Sequence, residues 1–76
     1  MGSLSPKLKI LNKLNTLRRE KNVTQQALAD EVGVTRATIH AMEKGNYNPS
    51  LELAFRLSLY FEKKVEDIFQ VEGRYE

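Results

Sequence analysis

The chain has 76 residues, with 12 Lys and Arg against 10 Asp and Glu, one His and no Cys. This length predicts one small domain, and the lack of Cys excludes disulfides and thiolate metal sites and favours a reducing, cytoplasmic location. Its apolar runs are far shorter than the ~20 residues that span a bilayer. We therefore expect no cofactor, no metal, no membrane partner and no small-molecule ligand.

The charges are distributed unevenly along the chain. Residues 1–28 carry a net charge of +5, whereas residues 49–76 carry a net charge of −2. A basic half beside an acidic half is typical of a molecule with one side that faces nucleic acid. Ordinary solvated helix faces would produce the same asymmetry, so the charge pattern alone does not decide between the two.

The first segment has no periodic pattern. Residues 1–6 are small and turn-forming, and they predict a disordered tail or the remnant of an expression tag ahead of a domain at residues 7–76. The next segment, Lys7–Leu11, is compatible with either a helix start or a short strand. From Asn12, apolar residues at helical spacing predict a first helix, which Asn22 ends because Asn tolerates a left-handed conformation.

Residues 25–44 predict two short helices joined by a tight turn. Thr24 is a suitable N-cap for the first of them, and Thr35 caps the second, which runs to about Lys44. Gly33 supplies the positive φ that the turn needs. Two helices joined by a short turn with Gly form a helix-turn-helix motif. The buried stripe of its first helix consists of Leu28, Ala29 and Val32.

The second helix of this motif has two unlike faces. Ile39 and Met42 point inward, and the outer face is basic with small residues. Such a helix fits the major groove of DNA, which is roughly 12 Å wide. The outer face consists of Arg36, Ala37, His40, Ala41 and Lys44.

These outer residues suit different contacts with double-stranded DNA. Arg36 can donate two hydrogen bonds to a guanine, and Ala37 and Ala41 can touch a thymine methyl group. Lys44, at the far end of the helix, suits a phosphate. For both Arg36 and His40, the alternative is a solvated side chain that does not contact DNA.

Other residues suit the phosphate backbone or the support of the motif. Gln25 opens a helix, where amides and side chain can hold a phosphate oxygen. Asn46 and Tyr47 lie in a loop that can reach the same backbone. Glu43 would repel phosphates unless it were paired, so we expect an inward ion pair with Arg18.

The fourth helix, capped by Ser50, is apolar on more than one face. Its expected core face consists of Leu51, Ala54, Leu57, Ser58 and Phe61. The excess apolar residues predict a homodimer interface, with scattered exposed apolar residues as the alternative. They are Phe55, Leu59 and Tyr60.

The last elements are short. Val65–Phe69 predicts a final helical turn, and Phe69–Glu72 alternates at period two, as a strand does. This strand would pair with Leu8–Leu11 and bring the two ends of the chain together.

The residues between Leu14 and Phe69 resemble a known family. The segments LRREKNVTQQALADEVGVTRATIHAMEKGNYNPSLELA and VEDIF match in register the Cro/phage-repressor class of helix-turn-helix proteins, also called the xenobiotic-response-element type. Within this class the chain is most like very short bacterial repressors, of which the cytolysin-operon repressor is one.

The resemblance implies an all-α, five-helix, lambda-repressor-like domain with its third helix in the major groove. A small two-stranded antiparallel sheet formed by the termini is a further expectation. The resemblance also implies a phosphate contact by Gln25 and an Arg18–Glu43 ion pair between the first and third helices. It assigns the base-facing positions to Thr35, Arg36, Ala37, His40 and Ala41.

The sequence departs from the family pattern at three positions. Glu62 replaces the usual Gly or Asn after the fourth helix, and Lys64 replaces the usual cap of the fifth. Ala41 stands where a polar base-reading residue is common. The first two departures put the link between the last helices in question, and the third does so for base readout at that position.

We therefore expect a sequence-specific transcriptional regulator, in particular a repressor that binds an inverted-repeat operator as a homodimer. The alternative is an antitoxin-like module whose main partner is another protein and whose DNA binding is autoregulatory. An enzyme is excluded by the lack of a nucleophile–base pair, a metal constellation or a Gly-rich phosphate loop.

Overall fold

The computed structural model describes residues 8–72, which form five helices and one two-stranded sheet. The elements, in chain order, are β1 (Ile10–Asn12), α1 (Leu14–Glu20), α2 (Gln25–Val32), α3 (Arg36–Glu43), α4 (Leu51–Phe61), α5 (Val65–Ile68) and β2 (Phe69–Val71). This arrangement confirms the predicted five-helix domain with a small antiparallel sheet. In the described range, none of the helices has the length and apolar character to cross a membrane. The predicted tail at residues 1–6 lies outside the described residues.

Hydroxyl side chains begin α2, α3 and α4. In each helix the capping oxygen accepts a hydrogen bond from the main-chain N–H three residues later, which satisfies one of the orphan donors of the first turn. The N···O distances are 3.0 Å for Thr24 and Ala27, 3.2 Å for Thr35 and Thr38, and 3.1 Å for Ser50 and Leu53. The three predicted caps are therefore confirmed.

The first helix begins two residues later than predicted. Asn12 belongs to β1, and its side-chain oxygen accepts a hydrogen bond from the N–H of Leu14 at 3.0 Å. Its side-chain nitrogen donates to the carbonyl of Met42 at 2.9 Å. Asn12 thus marks the start of α1 and at the same time connects the sheet to the end of α3.

The link between α4 and α5 contains two residues whose side chains do not favour the local structure that they adopt. Glu62 ends α4 in a left-handed conformation with φ of 56°, which is costly for a residue with a Cβ. Lys64 precedes α5 without a side-chain capping bond. The Ser58 hydroxyl donates to the carbonyl of Lys63 and so holds the link to α4.

The core lies between the helices. The face that α4 buries in it differs from the face that the sequence predicted. Leu53 is buried, whereas Leu51, which we expected inside, is 73% exposed. The prediction was wrong because Leu and Phe stand on several sides of α4, so periodicity could not choose a face. Ser58 is only half-buried. The buried apolar residues are Leu14, Leu28, Ala29, Val32, Ile39, Met42, Leu53, Ala54, Leu57, Phe61 and Ile68.

The predicted pairing of the two ends of the chain is present, with different strand limits. β1 and β2 are antiparallel, and Leu11 lies opposite Gln70. Main-chain bonds continue the ladder at both ends, from the N–H of Lys13 to the carbonyl of Ile68 and from Glu72 to Lys9, each 2.9 Å. Of the ambiguous segment Lys7–Leu11, Ile10 and Leu11 therefore belong to a strand, and Lys7 lies outside the described residues.

Candidate DNA interface

The turn between α2 and α3 is fixed by its main chain and by α4. The N–H groups of Gly33 and Val34 both donate to the carbonyl of Ala29, at 2.9 and 3.0 Å. Gly33 has φ of 79°, and a Cβ there would lie 3.2 Å from Nη1 of Arg56 on α4. The left-handed conformation requires Gly, whereas the flexible end of the Arg56 side chain could shift to admit a Cβ.

Helix α3 has the two faces that the sequence predicted. Ile39 and Met42 are fully buried, whereas the opposite side faces outward. Arg36, Ala37, His40 and Lys44 are exposed, and Ala41 is half-buried. Thr35 is exposed as well, but its hydroxyl contacts the Thr38 hydroxyl at 3.0 Å in addition to capping the helix. The hydroxyl of Thr35 is therefore already engaged in the free protein.

Arg36 is placed unfavourably for the stability of the free domain. It is the first residue of α3, where the helix dipole disfavours a positive charge by about 0.3–1 kcal/mol. Within residues 8–72, every carboxylate is more than 4 Å from its guanidinium. Among these residues, the free domain therefore gains no ion pair from the charge of Arg36.

Glu43 is the centre of a hydrogen-bond network beneath this face. Its carboxylate accepts bonds from Arg18 (Nε, 2.6 Å), from Asn15 (Nδ2, 3.0 Å) and from Gln25 (Nε2, 3.0 Å). The side chain of Glu43 is only 6% exposed and that of Arg18 only 14%. The structure thus brings together the two residues that we expected to pair. Through these three bonds a single carboxylate on α3 is joined to α1 and α2. Arg18 also donates to the carbonyl of Val23, in the link between α1 and α2, at 2.9 Å.

The roles of Asn15 and Gln25 in this network were missed at the sequence level. Asn15 precedes Arg18 by three residues, so both lie on the same face of α1, and this spacing could have identified it. Gln25 gave no such signal, since its partner is 18 residues away in the chain.

The network determines the ionisation of Glu43. Burial by itself would raise the pKa of this carboxyl. The hydrogen bonds from Arg18, Asn15 and Gln25, with the charge of Arg18, outweigh burial, and the pKa is lowered from its ordinary value. Glu43 is therefore ionised at neutral pH, and its negative charge is balanced by Arg18 and by the hydrogen bonds that the carboxylate accepts.

The predicted phosphate-binding residues occupy both ends of the motif. Gln25 is half-buried, and its side-chain nitrogen points inward, to Glu43 and to Nδ1 of His40 at 3.4 Å. In the first turn of α2, the N–H groups of Ala27 and Leu28 already donate to Thr24, which leaves those of Gln25 and Gln26 as the donors that a phosphate could meet. Asn46 and Tyr47 are exposed directly after α3, where the N–H of Asn46 donates to the carbonyl of Ala41 at 2.9 Å.

A second exposed surface lies on α4. Leu51, Phe55 and Leu59, which we call the outer stripe, are 73%, 53% and 78% exposed and follow each other at intervals of four residues. Tyr60, predicted to belong here, instead packs against the core, with its ring 5.0 Å from that of Phe61 and Lys21 above it at 5.1 Å. An apolar groove lies beside Leu51 and is lined by Ile10, Ala54, Val65 and Phe69.

Comparison with known sequences agrees with this geometry. The helix-turn-helix family model HTH_3 matches residues 14–68. An uncharacterized HTH-type transcriptional regulator from Methanocaldococcus jannaschii is 53% identical over 58 residues, which cover 76% of this chain and 88% of that protein. The uncharacterized HTH-type transcriptional regulator YgzD from Bacillus subtilis is 46% identical over 61 residues, covering 80% and 92%.

Solved structures show the same fold. The restriction-modification controller protein C.AhdI from Aeromonas hydrophila superposes with a TM-score of 0.67 at 27% identity, covering 72% of this chain and 83% of that one. A protein from Bacteroides fragilis gives a TM-score of 0.72 at 21% identity, covering 80% and 98%, and is evidence for the fold alone. Motif geometry, family match and relatives agree, and this chain belongs to the helix-turn-helix family of DNA-binding transcriptional regulators, not to a family of enzymes.

Proposed function

We propose that this protein is a sequence-specific repressor that binds an inverted-repeat operator in double-stranded DNA as a homodimer, with α3 in the major groove. The observation that carries the proposal is the outer face of α3. It is exposed and basic, and the Glu43 network holds the helix beneath it in one orientation. Among the described residues, neither Arg36 nor Lys44 has a carboxylate partner within 4 Å.

Base recognition falls to the exposed positions of α3. Arg36, at the start of the helix, can enter the groove first and donate two bonds to guanine O6 and N7. Ala37 and the half-buried Ala41 allow the helix to approach closely and offer methyl contacts to thymine. Thr35 and His40 complete the proposed base-facing set.

Phosphate contacts would fix the position of the motif on the duplex. We assign them to the start of α2 at Gln25 and to Lys44, Asn46 and Tyr47 at the end of α3. Because such contacts release bound counterions, affinity should fall steeply as the salt concentration rises. These contacts carry little sequence information, which separates their role from that of Arg36.

The outer stripe supports the proposal of a homodimer. A single module buries only about 600–1,000 Å² on DNA, so two copies are needed for useful affinity and specificity. In our proposal Phe55 and Leu59 form the interface together with Leu51, which the sequence placed inside, and Tyr60 contributes only its exposed edge. A two-fold dimer would place its half-sites about one helical turn apart and so require an inverted repeat.

Repression follows from occupancy of the operator. The relatives named as transcriptional regulators, and the structural likeness to a restriction-modification controller, support a regulatory role. The outer stripe also suits the alternative, an antitoxin-like module with a second protein as its main partner. Analytical ultracentrifugation of the pure protein separates the two, since a stable dimer supports the first and a monomer the second.

The decisive experiment is selection of bound DNA from a random pool, followed by titration of the selected site at fixed salt. We expect Arg36→Ala to weaken binding to the selected site about 5- to 150-fold, the range that follows from about 1–3 kcal/mol for one bidentate base contact. Binding to unrelated DNA should change little. Lys63→Ala, which removes one charge from the exposed link between α4 and α5, is the matched control.

Two results would contradict this proposal. An equal loss on selected and unrelated DNA would mean that Arg36 contacts phosphate and not a base. A wild-type protein that enriches no sequence would exclude sequence-specific binding altogether.

A further inference from the structure

The side-chain amide of Gln25 connects the buried carboxylate of Glu43 to the exposed ring of His40. Its nitrogen lies 3.0 Å from Oε1 of Glu43 and 3.4 Å from Nδ1 of His40. Gln25 is the first residue of α2, and both of its partners are on α3. An exposed residue of the proposed reading face is therefore in contact with the network that supports it.

The orientation of this amide is fixed by charge. An ionised carboxylate only accepts hydrogen bonds, so the Gln25 nitrogen and not its oxygen must face Glu43. Glu43 cannot turn away, because Arg18 and Asn15 hold it from the other side. A flipped amide would place two acceptors against each other in a buried setting, which is unfavourable.

The fixed amide in turn favours one tautomer of the His40 ring. An amide nitrogen offers only donors, so Nδ1 of His40 must act as the acceptor of this contact. In this contact the neutral form of the ring carries its hydrogen on Nε2. His40 is exposed, so this Nε2–H is available to a partner outside the protein.

We propose that His40 is a specificity-determining residue that donates from Nε2–H to an acceptor on a base edge, and that Gln25 is the positioning residue that fixes its tautomer. This inference rests on the proposed function, since it requires α3 in the major groove. The acceptors available there are O6 and N7 of guanine, N7 of adenine and O4 of thymine. The amino groups of adenine and cytosine are themselves donors, so they cannot accept a hydrogen bond from Nε2–H.

The tautomer can be measured in the free protein by nitrogen-15 NMR of the histidine ring. At about pH 8.5, two units above the ordinary histidine pKa of about 6.5, the ring is neutral and its two nitrogens report the tautomer ratio. We expect the Nε2–H form to predominate more strongly than in an unfolded peptide with the sequence of residues 38–42. Gln25→Met should shift the ratio about fivefold toward that of the peptide, which is the factor expected for one net hydrogen bond.

The chain provides a matched control and a second variant. Gln26→Met changes the neighbouring residue, whose amide bonds Asp30 at 2.9 Å, and should leave the ratio unchanged. Gln25→Ala removes the same donor and leaves a good helix former at the first position of α2. It should move the ratio in the same direction, which keeps the test valid should Gln25→Met not fold. A wild-type ratio equal to that of the peptide, or one that neither Gln25 variant moves, would overturn the positioning role.

DNA selection tests the specificity role separately. We expect His40→Ala to reduce the preference at one base pair of each half-site about three- to tenfold, and His40→Gln, which keeps a donor, to restore part of it. If the wild type selects a sequence but His40→Ala changes no position, this inference is wrong and the proposed function stands. If the wild type selects no sequence, both are wrong, even where the tautomer result is as expected.

Discussion

The outer face of α3 and the outer stripe of α4 are both exposed, but they are built in opposite ways. Beneath the α3 face, Glu43 joins three helices through charged and amide hydrogen bonds. The outer stripe has no such polar framework and presents bare hydrocarbon from Leu51, Phe55 and Leu59. The first surface presents hydrogen-bond donors and positive charge on a helix held in one orientation, as recognition of an anionic ligand requires. The second presents apolar area without hydrogen-bonding groups, which suits contact with another apolar surface.

The largest expected effect comes from breaking the framework under α3. Glu43→Gln leaves Arg18 largely buried without a countercharge, and we expect a loss of about 3 kcal/mol in the free energy of unfolding. For a domain of this size, that is a fall of roughly 12–24 °C in Tm. Thermal unfolding followed by circular dichroism measures it, and the double variant Arg18→Met, Glu43→Leu should recover much of the loss because it removes both charges.

Glu43 also gives the domain a defined acid sensitivity. Because the folded state lowers the pKa of this carboxyl below its ordinary value of 4.5, its stabilising contribution is complete above that value. The contribution is lost as the pH falls through the folded-state pKa, where Glu43 takes up a proton. Unfolding by urea at a series of pH values should show a steeper acid loss in the wild type than in Glu43→Gln. Glu31→Gln, at an exposed position of α2, should leave the slope nearly unchanged.

Most of the motif could be predicted from the sequence because its signals are local. The hydroxyl caps at Thr24, Thr35 and Ser50 and the left-handed Gly33 each act within a few residues. The phase of α4 could not be predicted in this way, since apolar residues on several sides left Leu51 and Leu53 equivalent until the tertiary contacts chose between them.

The inward orientation of the Gln25 amide was equally inaccessible from sequence. It depends on a carboxylate 18 residues away and on the way in which α2 crosses α3. The Arg18–Glu43 contact spans an even larger separation and was nevertheless expected, from the family resemblance and from the need to neutralise an acid at a DNA-facing helix.

The outer stripe can be tested without disturbing the core. Leu59→Glu changes a side chain that is 78% exposed, so the stability of the monomer should stay within about 0.5 kcal/mol of the wild type. The proposed dimer should dissociate, because a charge would be buried at its interface without a partner. Sedimentation velocity at several concentrations measures the effect. Gln70→Glu, which adds the same charge at an exposed position of β2, should not change the association state.

A dimer that survives Leu59→Glu would show that Leu59 is not part of the interface. The double variant Leu51→Glu, Phe55→Glu would then determine whether the rest of the stripe contributes at all. Tyr60→Ala should have a different effect from Leu59→Glu. Because the Tyr60 ring packs on the core, its loss should lower the stability of the monomer.

A small expected change in stability, of the opposite sign to that of Glu43→Gln, comes from Arg36. Arg36→Glu replaces a cation at the positive end of the α3 dipole with an anion, and we expect the free domain to gain about 0.3–1 kcal/mol. The same substitution should abolish binding to the selected operator, because a carboxylate would face the phosphates and the guanine acceptors. Urea unfolding and DNA titration of one protein sample measure both effects. If Arg36→Glu instead lowered the stability, Arg36 would have a structural role, and its unfavourable position in the dipole would no longer argue for DNA contact.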